Sequence, residues 1–202
     1  VYLNNSFLPG LLQLMILLVT VFSIGSEMKR ATSREWLRTA DDSIIIAITG
    51  KLIPQTIIFF SMGLLYLSLL YGYLHFPMHN SIWHMIFAMF LLVVASQSFA
   101  VIIMCFAPSL RIGLSVGGLV GVLSLSIAGF SFPVPAMYLP FQAISYVLPV
   151  RHYFLIYVDQ ALNGIPLYYS RVHYVALILF AVASTPLLPR LKKALMRQVY
   201  VP

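Results

Sequence analysis

Long apolar runs alternate with short polar breaks along this chain. Five runs approach or reach the length of a membrane span: Leu8 to Ile24, Leu52 to Leu74, Ile82 to Phe106, Ile112 to Phe132 and Val172 to Leu188. Crossing a hydrocarbon core as a helix takes about 20 predominantly apolar residues. The runs are too long for strands and show no alternation of period two, which predicts α-helices and argues against a closed barrel. Pro9 and Pro54 stand near the starts of the first and second runs, as first-turn prolines do. The third run stops before Ala107-Pro108 and the last at Pro189.

One further segment, 133–164, is apolar but interrupted by Pro133, Pro135, Pro140 and Pro149. Each proline removes a backbone donor and disfavours helix at the residue before it. No piece reaches spanning length. Irregular backbone at membrane depth persists only when buried in protein or lining a wet cavity. The pattern predicts two short helices, Ala136–Val147 and Val150–Asn163, that dip into one leaflet and return. The expected fold is an all-α polytopic membrane protein: five transmembrane helices, this re-entrant hairpin and an amphipathic elbow helix. It forms one transmembrane domain over residues 1–202.

The elbow lies in the longest polar break, between the first two runs. Residues 26–51 hold nine of the seventeen charged side chains: Glu27, Lys29, Arg30, Arg34, Glu35, Arg38, Asp41, Asp42 and Lys51. Arg30, Arg34 and Arg38 recur every four residues, a single basic stripe if 26–43 is helical. Met28, Thr32, Trp36 and Ala40 form a less polar stripe beside it, with Trp36 as an interfacial anchor. Glu27 is placed to pair with Arg30, and Glu35 with Arg38. The pattern fits a passive headgroup anchor as well as a docking surface for a partner.

Composition strengthens the membrane reading. The chain is 61% hydrophobic and 8% charged, against roughly 25% charged in soluble domains. Charge then sets an orientation. If the elbow is cytoplasmic, so are the turn at 107–111 and the tail from Arg190. Those segments hold Lys29, Arg30, Arg34, Arg38, Lys51, Arg111, Arg190, Lys192, Lys193 and Arg197, and the other side holds only Arg151 and Arg171. By the positive-inside rule the first residue is outside and the last is cytoplasmic. Tyr138, Tyr146, Tyr153, Tyr157, Tyr168 and Tyr169 then form an outer aromatic belt. The net charge of +7 is explained by insertion, with no nucleic-acid partner. The chain starts at Val1 without a basic n-region or cleavage site. Five spans with an outside start imply a preceding span, so a fragment or processed product is expected.

Candidate chemistry is sparse. Gly113, Gly117 and Gly121 recur every four residues, which lets helix backbones approach closely in lipid. They fit either a subunit interface or packing within the chain. Gln13, Gln55 and Gln97 lie in or beside spans and fit either substrate contacts or interhelical hydrogen bonds. No Asp, Glu, Lys or Arg occupies a span centre, which argues against an ion-coupled carrier. His75 and His79 flank Pro77 with no carboxylate near, and no metal site is expected. Asp159, the one outer acid, is placed to pair with Arg151 or Arg171. No phosphate-binding GxxxxGK[ST] loop occurs, so any nucleotide energy must come from another chain.

Two stretches resemble a known family. Glu27 to Leu37 (EMKRATSREWL), followed by Gly50, Lys51 and Pro54 at the expected start of the second span, resembles the elbow of ABC-2-type exporter permeases. The second stretch comprises Gly129, Phe130, Pro133, Met137, Pro140, Gln142, Ser145 and Pro149. It is similar to the outer hairpin of the same family. The resemblance covers nearly the whole chain, as spans two to six of six. Ala31 stands where the family's Gly-Thr pair has glycine, Arg34 where an acid is expected, and Asp41-Asp42 where a proline-containing turn is usual.

The resemblance implies the transmembrane subunit of an ABC exporter in a bacterial inner membrane, itself not an enzyme. A second permease subunit, identical or paired, would complete the pathway. A separate ATP-binding cassette subunit would hold ATP and Mg; this chain would bind no cofactor. Glu27, Lys29, Arg30, Arg34, Glu35, Trp36 and Arg38 would form the coupling surface, and the hairpin would cap the outer exit. The preceding span and an external domain would lie before Val1. The apolar, aromatic pathway leans toward lipophilic substrates such as drugs or lipid-like molecules. The alternative is a membrane scaffold or assembly protein that transports nothing.

Overall fold

The computed structural model describes residues 2–76, 78–129 and 134–197, with side chains for all of these except 2–6 and 135. The described residues form helices and turns and no strand. They comprise α1 (Tyr2–Lys29), α2 (Ser33–Arg38), α3 (Ile44–Leu67), α4 (Ile82–Phe106), α5 (Leu110–Ile127), α6 (Leu139–Tyr146), α7 (Pro149–Tyr157), α8 (Leu167–Val182) and α9 (Leu188–Arg197). α3 and α7 each continue in a wider π-type turn, Ser68–Tyr73 and Val158–Leu162. Five stretches are long and apolar enough to cross a membrane: Phe7–Lys29, Ile44–Tyr73, Ile82–Phe106, Leu110–Ile127 and Leu167–Arg197. The polytopic all-α expectation holds, and the chain is a multi-pass membrane protein.

α4 is the central helix. It packs against α1, α3 and α8, and its buried side chains run from Met85 to Cys105. Its sequence explains this, because small Ala88, Ala95, Ser96, Ser98 and Ala100 leave room for neighbours on several sides. In lipid, helices associate by close packing and hydrogen bonds rather than by escape from water.

The closest pairing is α1 on α5. Gly113, Gly117 and Gly121 are all buried on the α5 face toward α1. A Cβ at Gly121 would overlap Leu14, and one at Gly113 would come within 2.9 Å of Val21 and 2.8 Å of the Met104 sulfur. Of the two readings open for this stripe, packing within the chain is the one observed.

The three span amides also have partners. Gln13 donates to the Ser124 hydroxyl (3.0 Å), Gln55 accepts from Thr20 (3.2 Å), and Gln97 accepts from Thr56 (2.8 Å). These bonds join α1 to α5, α1 to α3 and α3 to α4. Each is worth about 1 kcal/mol in a membrane interior.

Several boundaries differ from the sequence expectation: α5 ends at Ile127 rather than Phe132, and α8 covers Leu167–Val182 rather than Val172–Leu188. α1 runs on through Ser26–Lys29, so Glu27 and Lys29 end a span rather than begin an elbow helix. α3 begins at Ile44, so Gly50, Lys51 and Pro54 lie inside it rather than at its start. The early turns form because Ile44, Ala47 and Ile48 bury against a cluster that includes Ile24 and Leu188. Pro54 deprives the Gly50 carbonyl of its helical donor. Glycine at that position leaves open space around it.

Candidate functional site

Two polar regions lie at opposite ends of the bundle. At the elbow end, α1 stops in a Schellman motif: Thr32 N–H bonds the Glu27 carbonyl (3.1 Å) and Ala31 N–H the Met28 carbonyl (3.3 Å). Ala31 takes the left-handed conformation, φ 57°, that the motif normally gives to glycine. α2 ends in the same way. Asp42 N–H bonds the Leu37 carbonyl (2.9 Å), Asp41 N–H bonds the Arg38 carbonyl (3.3 Å), and Asp41 has φ 50°.

The elbow is therefore a two-turn helix between two capped stops. This corrects the single stripe expected of Arg30, Arg34 and Arg38, because the stop at Ala31 separates Arg30 from the helix that carries the other two. It also replaces the expected charge pairs. Among the described residues the one ion pair is Lys51–Glu27, at 2.6 Å. The second Glu27 oxygen accepts from the Thr32 hydroxyl, and Lys51 Nζ lies 4.5 Å from the centre of the Trp36 ring. Glu27, Trp36 and Lys51 thus tie α1, α2 and α3 together, while Lys29, Arg30, Glu35 and Arg38 are exposed.

α9 is not expected from the hydropathy pattern, in which the last run stops at Pro189. Proline is at home in a first helical turn, and Leu188, Leu191 and Leu195 mark an apolar face opposite Arg190, Lys193 and Arg197. That face is buried against α2, α3 and α4. Arg34 Nη2 donates to the Met196 carbonyl (3.4 Å), and Lys192 Nζ donates to the Asp42 carbonyl. Arg34, the departure from the expected acid, is thereby accounted for: a cation suits the carbonyl end of a helix, and an acid would be repelled there.

The hairpin end is built on α6 and α7, close to the two short helices expected. Pro140 sits in the first turn of α6, and Pro149 is the first residue of α7. Gln142 Nε2 donates to the Met137 carbonyl (2.7 Å), closing the entry turn. Gly129 has φ 100°, with Arg151 and Val134 against it. Phe130 and Pro133, singled out in the sequence, lie outside the described residues. α7 is joined to the spans through Gln13, whose Oε1 accepts from Val150 N–H at 2.8 Å. Gln13 is 0% exposed, so this one amide connects α1, α5 and α7.

The expected pairing of Asp159 with an arginine does not occur. Asp159 accepts from the Ser170 hydroxyl (3.0 Å). Arg151 lies over the Tyr146 ring (4.5 Å) and Arg171 over Tyr168 (3.8 Å). His152 Nε2 donates to the Tyr146 carbonyl (3.0 Å), and its Nδ1 faces His173 Nδ1 at 3.4 Å. Burial holds His152 below its ordinary pKa; His173 and Arg151 add to this, and the Tyr146 carbonyl opposes it. Among the described residues no three of His, Cys, Asp and Glu gather as a metal-ligand set. The site's resources are hydrogen bonds, cations on aromatic faces and rigid joints between helices.

None of the curated proteins compared with the chain matches it. A family described as ABC-2 family transporter protein matches residues 1–188, which takes in the elbow, the hairpin and all five candidate spans except the end of the last. The chain belongs to the ABC-2 transporter family, as a multi-pass membrane permease subunit of an ABC transporter.

Proposed function

We propose that this permease works as an exporter and that its elbow, residues 26–43, receives the push of a separate ATP-hydrolysing subunit. The observation that carries this is the Glu27–Lys51–Trp36 junction, which fastens α2 to the end of α1 and to the third turn of α3. A load on α2 then passes into α1 and α3 rather than bending a loop. The charge asymmetry supports the orientation: ten cations lie on the elbow side against two on the hairpin side, which favours a cytoplasmic elbow; the membrane of this proposal is the bacterial inner membrane. ATP and Mg belong to the partner. A second subunit, a copy or a paired relative, faces this one across the pathway. The re-entrant hairpin closes the outer exit, and lipophilic molecules are the substrates. Transport follows from the differing affinity of two permease conformations for the ATP and ADP states of the partner.

The test is to reverse Arg30, Arg34 and Arg38 to glutamate together. The expected result is loss of ATPase co-purification and of stimulation of its hydrolysis. A triple variant that binds and stimulates at the wild-type level refutes the coupling role. A complex that forms but drives no substrate across a vesicle membrane would favour the scaffold alternative.

A further inference from the structure

We propose that α9 is the second half of the ATPase docking surface, and that the hollow between α2 and α9 receives an acidic segment of the ATPase bearing one apolar side chain. This rests on the reading of the elbow as the coupling face. The hollow measures about 210 Å³ and is lined by Arg34, Leu37, Arg38, Asp42 and Met196. Leu37 and Met196 give it an apolar part, Arg34 and Arg38 two guanidinium groups, and Asp42 one carboxylate. α9 is fastened to the elbow at two points, by Arg34 to the Met196 carbonyl and by Lys192 to the Asp42 carbonyl. A partner seated in the hollow would therefore hold α2 and α9 as one body.

Charge sets the chemistry of the occupant. α9 contains Arg190, Lys192, Lys193 and Arg197 and no acid. Arg190 is drawn away over the Phe106 ring (4.7 Å) and Lys192 bonds the Asp42 carbonyl, which leaves Lys193 and Arg197 exposed near the end of the helix that Arg34 contacts. Complementary charge of this kind steers encounter and fixes register. The competing occupant is a sheet of anionic lipid headgroups. A helix that anchors at a membrane surface keeps its apolar face for the acyl boundary. In α9 that face is already covered by protein, with Leu191 at 0% and Leu195 at 1% exposure. Near the elbow the apolar group α9 does present is Met196, 51% exposed, and it lines the hollow. An apolar spot beside Arg34 and Arg38, with cations outnumbering the one acid of the lining, matches a protein side chain flanked by carboxylates.

The experiment uses the full permease with its ATPase in vesicles of phosphatidylcholine, alone or mixed with phosphatidylglycerol. Lys193→Glu with Arg197→Glu, and separately Met196→Ser, should each weaken ATPase binding about tenfold in both lipids, with a shallower salt dependence for the charge variant. Their thermal midpoints without the ATPase should match the wild type. Wild-type binding by both α9 variants, with loss in the Arg30, Arg34 and Arg38 reversal, overturns the α9 assignment and leaves the coupling role standing. Wild-type binding by all variants removes the coupling role as well. A defect confined to vesicles with phosphatidylglycerol overturns the proposal in favour of headgroups.

Discussion

Replacing Ala31 with glycine should stabilise this protein. Ala31 holds φ 57° at the Schellman stop of α1. For an L-residue with a Cβ that conformation costs about 1–2 kcal/mol. Glycine removes the cost but frees the unfolded chain, which returns roughly 0.5–1 kcal/mol. Ala31 is exposed, so no buried packing is lost, and the net gain is about 0.5–1 kcal/mol. For a chain of this size that corresponds to a rise of about 1–4 °C in the unfolding midpoint. The assay is thermal unfolding of purified protein in a fixed detergent, with Ala31→Val and Asp41→Gly alongside. Valine should lower the midpoint, because a branched Cβ fits the left-handed region worse still. The aspartate change should gain less than Ala31→Gly, since aspartate tolerates φ above zero. A drop in midpoint for Ala31→Gly, or no change for Ala31→Val, would refute the account of this stop.

Three further outcomes are expected. Gly121→Ala should lose about 1–3 kcal/mol because its Cβ would overlap Leu14, while Gly117→Ala, whose Cβ meets Val21 at 3.7 Å, should be near neutral by the same unfolding assay. Gln13→Leu should cost about 1–3 kcal/mol by leaving Val150 N–H without its acceptor, and hydrogen exchange should rise first in α7. Stability should fall as pH drops below 6.5, the ordinary value for His152, since the unfolded chain then takes up a proton that the buried ring resists; unfolding midpoints between pH 7.5 and 5 should show a flatter profile in His152→Gln.

The parts that were legible in the sequence are those where membrane depth and helix extent coincide. α4 was placed to the residue, because its apolar run fills Ile82–Phe106 and is bounded by Ser81 and Ala107-Pro108. Hydropathy reports depth in the membrane, however, and a helix continues as long as its hydrogen bonds do. α1 therefore passes its apolar limit at Ile24, and α3 begins two turns before Leu52. The break at Ala31 left no trace in the four-residue spacing of the arginines, since alanine is a strong helix former. α9 was hidden by one proline that reads equally as an end or a beginning. The hairpin was legible because its prolines divide 133–164 into pieces too short to span, although the first helix starts at Leu139 rather than Ala136 and the second at Pro149 rather than Val150. The Gln13 connection was not, because it joins residues 137 positions apart.

That connection gives α1 a second character. At one end Glu27 grips Lys51; at the other Gln13 grips Val150. The two grips are about 21 Å apart along a continuous helix. A helix hydrogen-bonded along that stretch scarcely shortens under load, so under the proposed coupling α1 would act as a pushrod. A shift of one ångström at Glu27 would arrive at the hairpin as nearly one ångström, with α5 carried along, because Leu14 and Val21 are seated against Gly121 and Gly113.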